Sequence, residues 1–160
     1  MGLDTYYPVI LSSLIKSADI KTVLELGVCS GNSTTAILEA LPSKGRLWSV
    51  DIDKCEGTKN RLKERFGDKW TFLSETDDLL LEWDRVVDMI FIDTSHLADH
   101  TLKELIKYSP YAKRFLVLHD TISNPPVMDV IRGYLKDDIN WAWAEWKHNY
   151  GLAMLMRIVK

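Results

Sequence analysis

The sequence contains few cysteines and no long apolar run. Its 160 residues include two cysteines, Cys29 and Cys55, whose separation matches no common metal-binding pattern. Two cysteines in a chain of ordinary composition are typical of reduced thiols, and we expect a cytoplasmic location. No apolar stretch approaches the roughly 18 residues that a membrane-spanning helix needs. Residues 1–7 lack the basic and apolar regions of a signal peptide. The sequence therefore indicates neither a membrane partner nor a disulfide framework.

An excess of basic residues is also absent, since the formal net charge is −3. Nucleic-acid binding usually needs a basic face, so the charge disfavours that class of partner. Apolar residues make up 46% of the chain and charged residues 27%, the balance of an ordinary globular protein. No repeat, linker or low-complexity segment interrupts the sequence. We expect residues 1–160 to form a single domain with a sizeable core.

Apolar runs of strand length alternate along the chain with apolar residues at helical spacing. The predicted order begins with a helix at about residues 8–17 and continues with five units of a strand followed by a helix, and then a β-hairpin. The helix of the third unit is short, at residues 78–83. The predicted strands are residues 23–26, 47–51, 70–73, 86–92, 115–118, 141–147 and 152–159. This order predicts an α/β fold with one doubly wound, Rossmann-like sheet. We expect seven strands, mostly parallel, ending in a C-terminal antiparallel β-hairpin.

A glycine turn follows the first predicted strand. Glu25, Gly27 and Gly31 form the pattern Glu-x-Gly-x-x-x-Gly, and a helical pattern starts directly afterwards. Glycines allow a tight turn and a close approach of a ligand, and a helix start offers free N–H groups to an anion. The spacing differs from the G-x-G-x-x-G of dinucleotide-binding proteins, because Cys29 takes the place of the second glycine. This difference disfavours an NAD-dependent oxidoreductase.

Charged side chains follow several predicted strands at the point where each strand ends. Ligands of open parallel sheets bind beyond these carboxyl ends. Asp51, about twenty residues past the glycine turn, is placed to accept both hydroxyls of a ribose, and Asp53 is a second candidate. Two neighbouring strands end in Asp93 with His96 and in His119 with Asp120. Such groups beside buried strands must be solvated, paired or bound to a metal.

These motifs together cover most of the chain and resemble a known family. Glu25 to Gly31, Val50 to Asp53, Phe91 to His96, Val117 to Asp120 and Tyr150 to Leu152 carry the likeness. The chain resembles class I S-adenosylmethionine-dependent methyltransferases. Among them it is similar to the small-molecule O-methyltransferases of the cephalosporin-hydroxylase-like group, methyltransferase family 24. The closing hairpin also matches the last two strands of that family.

The resemblance implies a cofactor site for S-adenosylmethionine. It places Glu25 on the methionine amino group, Asp51 with Asp53 at the ribose, and Thr76 with Asp77 near the adenine. The residues expected around the methionine carboxylate are Gly27, Cys29, Ser30, Gly31 and Ser33.

The resemblance also implies catalytic groups at the ends of the fourth and fifth strands. Asp93, which also adjoins the cofactor, would bind a divalent metal such as Mg²⁺ together with His119 and Asp120. His96 would act as the base. Position 119 departs from the family, whose metal-dependent members often carry a carboxylate there. Hard ions such as Mg²⁺ prefer oxygen ligands, so the sequence leaves metal dependence open.

The resemblance implies a function, the transfer of a methyl group to a hydroxyl of a small molecule or sugar. Three alternatives remain: a non-catalytic S-adenosylmethionine-binding or scaffold protein, an NAD-dependent oxidoreductase, and methylation of a macromolecule. Asn124-Pro125-Pro126 resembles a motif of nucleic-acid methylases but follows the wrong strand and lacks the aromatic residue. Three tryptophans, Trp141, Trp143 and Trp146, favour pairing into a homodimer, whereas His100 is expected on the solvated surface.

Overall fold

A computed structural model describes residues 6–158 of the chain. Their seven strands form one sheet in the order β3-β2-β1-β4-β5-β7-β6. The strands are β1 (Thr22–Leu26), β2 (Arg46–Asp51), β3 (Trp70–Glu75), β4 (Val87–Ile92), β5 (Ala112–His119), β6 (Trp141–Trp146) and β7 (Leu152–Arg157). Strands β1 to β5 pair in parallel, and β7 is antiparallel to both β5 and β6. The predicted fold class, with its closing hairpin, is confirmed.

Five α-helices cover the two faces of the sheet. They are α1 (Tyr6–Ser17), α2 (Asn32–Ala40), α3 (Glu56–Phe66), α4 (Ala98–Tyr108) and α5 (Pro125–Asp137). Buried side chains of α1, α2 and α3 share one core cluster, and those of α4 and α5 belong to the other. The leading helix is confirmed, although it begins two residues before the predicted start at residue 8.

The central strands are apolar on both faces because helices cover both. In β4, Ile90 and Ile92 pack in the core under α4 and α5, whereas Met89 and Phe91 pack in the core under α1 to α3. All four side chains are almost fully buried. This double burial explains why β4 is a continuous apolar run in the sequence. It also fixes the end of β4, where Asp93 begins the following loop.

The helix predicted at 78–83 is wrong in length and type, because the segment contains only a 3-10 turn, Asp78–Leu80. Asp77 caps this turn by accepting a hydrogen bond from the backbone N–H of Leu79. The chain then continues without regular structure, and Trp83 is buried with its indole N–H donated to the carbonyl of Arg85. The segment after Leu80 is therefore irregular, and it places Trp83 in the core instead of continuing as a helix.

The tryptophans of the hairpin divide between core and surface. Trp141 is buried and Trp146 packs on the core, whereas Trp143 on the edge strand β6 is 44% exposed. Self-association stays a prediction. Residue Val159, included in the predicted last strand, lies outside the described residues. Within residues 6–158, no helix has the length and apolarity required to cross a bilayer. The cytoplasmic location also stays a prediction.

Candidate functional site

The glycine turn packs against both β2 and α3. Asp51 at the end of β2 accepts hydrogen bonds at Oδ2 from the backbone N–H groups of Val28 (2.7 Å) and Cys29 (2.9 Å). A Cβ atom added at Gly31, where φ is +78°, would lie 2.6 Å from Cγ2 of Thr58 in α3. Gly31 is therefore required for close packing of the turn on α3. Asp51 holds the turn in place and also borders the cavity beside it.

A cavity of about 370 Å³ opens at the carboxyl ends of β1 to β4. We call it the larger cavity. Its lining residues are Gly27, Cys29, Val50, Asp51, Ile52, Asp53, Thr76, Asp77, Asp78, Asp93, Thr94, Ser95, Leu97 and His100. Seven of these were predicted as cofactor residues: Gly27, Cys29, Asp51, Asp53, Thr76, Asp77 and Asp93. The other predicted residues, Glu25, Ser30, Gly31 and Ser33, do not line it, and their contact with a cofactor stays a prediction.

Glu25 lies beneath the glycine turn with its side chain fully buried. Its Oε2 accepts a hydrogen bond of 2.6 Å from the hydroxyl of Ser49, whereas Oε1 has no hydrogen-bond partner among the described residues. Burial raises the pKa of Glu25 to about 7, although hydroxyls including that of Ser49 oppose the rise. A buried carboxylate with one unpaired oxygen is suited to bind a cation, and otherwise costs free energy.

Asp93, His96, His119 and Asp120 form one group, which we call the Asp93 cluster. Nε2 of His96 lies 3.1 Å from Oδ1 of Asp93 and 2.9 Å from Oδ2 of Asp120. Nδ1 of His119 lies 3.3 Å from each of the same two oxygens. The sequence prediction that two neighbouring strands bring these four side chains together is therefore confirmed in its geometry. Their chemical roles stay predictions.

The close pairing changes the protonation of the Asp93 cluster. Hydrogen bonds with Asp120 and Asp93 raise the pKa of His96 to about 9. Burial lowers the pKa of His119, but hydrogen bonds to the same carboxylates outweigh it and raise that pKa to about 10. The imidazoles in turn hold the pKa of Asp120 far below its usual range, against the effect of burial. At neutral pH the cluster therefore balances two carboxylates with two imidazolium groups.

Backbone strain is concentrated around the candidate site. Four non-glycine residues there have positive φ angles: Cys29 (47°), Cys55 (46°), His96 (55°) and Asp120 (61°). Such conformations cost free energy of the order of 1–3 kcal/mol each and persist where the surrounding structure enforces them. The carboxylate of Asp120 is further held by the hydroxyl of Ser123. The backbone conformations of His96 and Asp120 therefore lower the stability of the fold, while the surrounding structure holds both side chains in position.

A second cavity, of about 240 Å³, is also bordered by Asp93. We call it the smaller cavity, and its lining residues are Tyr7, Asn32, Asp93, His119, Asp120 and Tyr150. The ring of Tyr7 lies 4.2 Å from the ring of His119, and that of Tyr150 lies 6.3 Å from it. Asp93 lines both cavities, so they meet at the end of β4. Sequence reasoning missed Tyr7 and Asn32, because only the fold brings α1 and α2 to this cavity.

The expected position of His100 on the solvated surface is wrong. Its side chain is 17% exposed, and its Nε2 lies 2.8 Å from Oδ1 of Asp78. His100 is the third residue of α4, and its contact with Asp78 joins the first turn of that helix to the 3-10 segment following β3. Sequence reasoning took the polar start of α4 for surface, and the contact with Asp78 depends on a loop packing that spacing does not reveal.

A comparison with family models matches residues 24–121 to methyltransferase family 24, described as a methyltransferase domain. A curated relative, tapetum-specific methyltransferase 1 of Arabidopsis thaliana, is 37% identical over 54 residues. That segment is 34% of this chain and 23% of the Arabidopsis protein, so the likeness spans under a quarter of that relative.

Solved structures of O-methyltransferases share the fold. An O-methyltransferase from Bacillus cereus, in complex with S-adenosylhomocysteine, has a TM-score of 0.80 at 16% identity, over 98% of this chain and 82% of that chain. TomG from Streptomyces achromogenes, involved in tomaymycin synthesis and bound to S-adenosylmethionine, gives 0.79 at 16% identity, over 99% and 82%. Because the family model matches more than half of its length, the chain belongs to methyltransferase family 24, the family that its strand-end residues indicated.

Proposed function

We propose that this domain transfers the methyl group of S-adenosylmethionine to a hydroxyl of a small molecule. The observation that carries the proposal is that two cavities meet at Asp93. Methyl transfer requires the attacking oxygen in line with the bond from sulfur to the methyl group. A cofactor in the larger cavity and an acceptor in the smaller one would approach each other at this residue. Holding both reactants on one scaffold supplies the required proximity and orientation.

In this proposal the larger cavity binds the cofactor. Asp51 and Asp53 accept the ribose hydroxyls, and Thr76 and Asp77 border the adenine. Asp51 keeps acceptor capacity while it holds the glycine turn, because a carboxylate offers about four lone-pair sites. The unpaired Oε1 of Glu25 supports a role in binding the methionine ammonium group from beneath the turn. Ser30, Gly31 and Ser33 would support the same end of the cofactor through the shape of the turn.

The smaller cavity would bind the acceptor, and its size fits a small molecule. The rings of Tyr7 and Tyr150 lie 4.2 and 6.3 Å from the His119 ring and provide apolar surface. Asn32 and the carboxylates of Asp93 and Asp120 provide polar contacts. Most of the lining is polar, which suits an acceptor that carries hydroxyl groups. A sugar or another compact polyol is consistent with this lining.

The donor atoms of the Asp93 cluster fit a divalent metal. One oxygen each from Asp93 and Asp120 and one nitrogen from His119 lie within 4.8 Å of one another. A set of two oxygens and one imidazole nitrogen suits Mn²⁺ or Zn²⁺ better than Mg²⁺. A metal held by these residues would lower the pKa of an acceptor hydroxyl.

His96 is the base in this proposal, and Nε2 is the atom that takes the proton of the acceptor hydroxyl. In the metal-free form its pKa of about 9 means that it already carries a proton at neutral pH. It becomes a proton acceptor only in the fraction of molecules in which Nε2 of His96 has lost that proton. The attraction between His96 and the two carboxylates therefore holds the imidazole in position. The same attraction keeps the imidazole protonated and so lowers the fraction of molecules in which it can act as a base.

The same charge balance supports a second candidate function, that of a cofactor-binding protein without catalysis. Two carboxylates neutralised by two imidazolium groups are also a stable structural arrangement.

Calorimetry and a methyl-transfer assay on a panel of hydroxyl compounds separate the enzyme from the non-catalytic cofactor-binding protein. A protein with either function is expected to bind S-adenosylhomocysteine in preference to NAD, but only the enzyme shows turnover. Asp51→Ala is expected to weaken binding by about 1–3 kcal/mol. Preferential NAD binding would contradict both.

We also propose that the domain forms a homodimer through its hairpin. The support is Trp143, which lies on the edge strand β6 and is 44% exposed. Light scattering tests this proposal, and a mass near 18.4 kDa at high protein concentration would contradict it. Trp143→Ser is expected to shift a dimer toward that mass.

A further inference from the structure

Three acidic side chains and one histidine meet beside the larger cavity. They are Asp77, Asp78, His100 and Glu104, which we call the Asp78 group. Nε2 of His100 lies 2.8 Å from Oδ1 of Asp78 and 3.6 Å from Oε1 of Glu104. Asp77, Asp78 and His100 each line the larger cavity. The proposed cofactor site uses only Asp77 of this group, at the adenine, and neither the base nor the acceptor site uses any of the four.

Two buried carboxylate oxygens of the Asp78 group are unpaired. Asp78 is 7% exposed and Glu104 is fully buried. Neither Oδ2 of Asp78 nor Oε2 of Glu104 has a hydrogen-bond partner among the described residues. The other oxygen of Glu104 accepts a hydrogen bond of 2.6 Å from the hydroxyl of Thr94. An unpaired buried carboxylate oxygen is costly, so each calls for a cation or a proton.

The nearby lysine does not neutralise these carboxylates. Nζ of Lys107 donates to the carbonyl oxygens of Asp78, Leu79 and Leu81 at 3.2, 2.6 and 2.7 Å. These three bonds match the three donors of an ammonium group. Tyr108 also donates its hydroxyl to the carbonyl of Asp78. The lysine and tyrosine therefore fix the backbone that carries Asp77 and Asp78 and leave their carboxylates to another cation.

The donor atoms of Asp77, Asp78 and His100 are close enough together to share one ion. Ligands at the usual Zn–N and Zn–O distances in a tetrahedral site lie about 3.4 Å apart. Nε2 of His100 and Oδ1 of Asp78 lie 2.8 Å apart, so these two ligands would separate by about 0.6 Å to hold the ion. One donor atom each from Asp77, Asp78 and His100 also lies within 4.8 Å of the others. Three protein ligands that border a cavity leave a fourth position open.

We infer that Asp77, Asp78 and His100 bind a divalent transition metal, with Zn²⁺ the best match, and that Glu104 stabilises it from the buried side. Imidazole nitrogen with carboxylate oxygen is a donor set that Zn²⁺ accepts, whereas Mg²⁺ and Ca²⁺ prefer oxygen alone. The open coordination position would face the larger cavity. This metal site is separate from the Asp93 cluster, and the inference does not depend on methyl transfer.

The test is a titration with Zn²⁺, and with Co²⁺ as a spectroscopic probe, in the absence of cofactor. The starting protein is Asp93→Asn/Asp120→Asn, because it lacks the carboxylates of the other metal candidate. We expect one metal per chain and a visible Co²⁺ spectrum of low coordination number. His100→Gln added to this background should weaken binding by roughly 100-fold. His148→Gln is the matched control, since that exposed histidine lies in the hairpin turn.

If the double variant does not fold, the same substitutions are made in the wild-type chain. His100→Gln is then expected to remove one of the bound metals and His148→Gln none. Metal binding that His100→Gln and His148→Gln affect equally would overturn the inference. So would the absence of saturable binding. In that case Asp78 and Glu104 would share a proton, in line with the raised pKa that burial and the Asp78 charge give Glu104.

Discussion

Gly27 and Asp93 are in such close contact that no side chain fits between them. A Cβ atom added at Gly27 would lie 2.0 Å from the carbonyl oxygen of Asp93. The neighbouring pair Leu26 and Ile92 ends the parallel pairing of β1 with β4, which holds the two loops at this distance. The turn proposed to bind the cofactor therefore rests on the residue shared by both cavities. Cofactor binding in the larger cavity and methyl transfer at Asp93 would therefore both depend on the contact between Gly27 and Asp93.

Gly27→Ala is expected to impair both folding and activity. The added methyl group must displace the Asp93 backbone, and φ at this position is +93°. Strain of this kind costs about 1–3 kcal/mol. Urea unfolding and methyl-transfer rates measure the two effects.

Gly57→Ala is the control for that substitution, because a Cβ at Gly57 in α3 meets no atom within 4 Å. Alanine in a helix stabilises it by roughly 0.5–1 kcal/mol relative to glycine. Equal stability of the two variants would show that the contact with Asp93 tolerates a side chain.

Glu25→Gln should separate stability from cofactor binding. The pKa of Glu25 rises from 4.5 to about 7 on folding, so the folded chain binds its proton more tightly. Stability from this proton is complete below about pH 4.5 and is lost as the pH rises through 7. Glutamine carries no charge, so the variant should lose less stability between pH 5 and 8 than the wild type. The difference is at most about 3 kcal/mol.

The same variant should bind S-adenosylhomocysteine more weakly, because a neutral amide cannot balance an ammonium group. Urea unfolding at the two pH values and calorimetry provide both readings. A variant that loses stability with pH as steeply as the wild type would mean that Glu25 does not titrate in this range. Unchanged affinity would instead remove Glu25 from the cofactor site.

Features that depend on consecutive residues could be predicted from the sequence, whereas features formed by residues far apart in the chain could not. Strand β4 and its terminal Asp93 could be predicted because burial on both faces leaves a continuous apolar run. The smaller cavity could not, since Tyr7 and Asn32 are far apart in the chain and meet only when α1 and α2 pack on the same face. His100 was misjudged for a related reason, because its partner Asp78 comes from another loop.

The Asp93 cluster shows the same division within a single group. Its four side chains could be predicted to meet, because parallel strands end at one edge of the sheet. Their protonation could not be predicted, because it depends on separations of about 3 Å between particular atoms. The resemblance implied His96 as the base, and the structure shows its imidazole paired with Asp93 and Asp120.

Metal removal should abolish turnover if the Asp93 cluster binds a catalytic metal. A chelator is expected to stop methyl transfer, and Mn²⁺ is expected to restore it better than Mg²⁺, because His119 supplies a nitrogen ligand. His119→Asn supplies an amide oxygen in its place and should improve the response to Mg²⁺ relative to Mn²⁺. Rates with each ion, in both proteins, measure this shift. Full activity in chelator would exclude a metal role.

The pH dependence of the reaction tests His96 as the base. A base works only without its proton, and hydrogen bonds to Asp120 and Asp93 raise the pKa of His96 to about 9 in the metal-free protein. In chelator, any remaining kcat/KM should therefore rise with pH and level off above about 9. A bound metal that occupies the same carboxylates would shift this rise to lower pH.

His96→Gln should remove the rise and lower the rate by roughly 10²–10⁴-fold, while affinity for S-adenosylhomocysteine is nearly unchanged. Both effects are needed, because a merely structural role would lower the rate without changing the shape of the profile. His148→Gln, which replaces an exposed histidine of the hairpin turn, should keep the wild-type profile and rate. If His96→Gln kept the pH-dependent rise, another group would be the base, and His119, whose pKa the same carboxylates raise to about 10, would be the candidate within the Asp93 cluster.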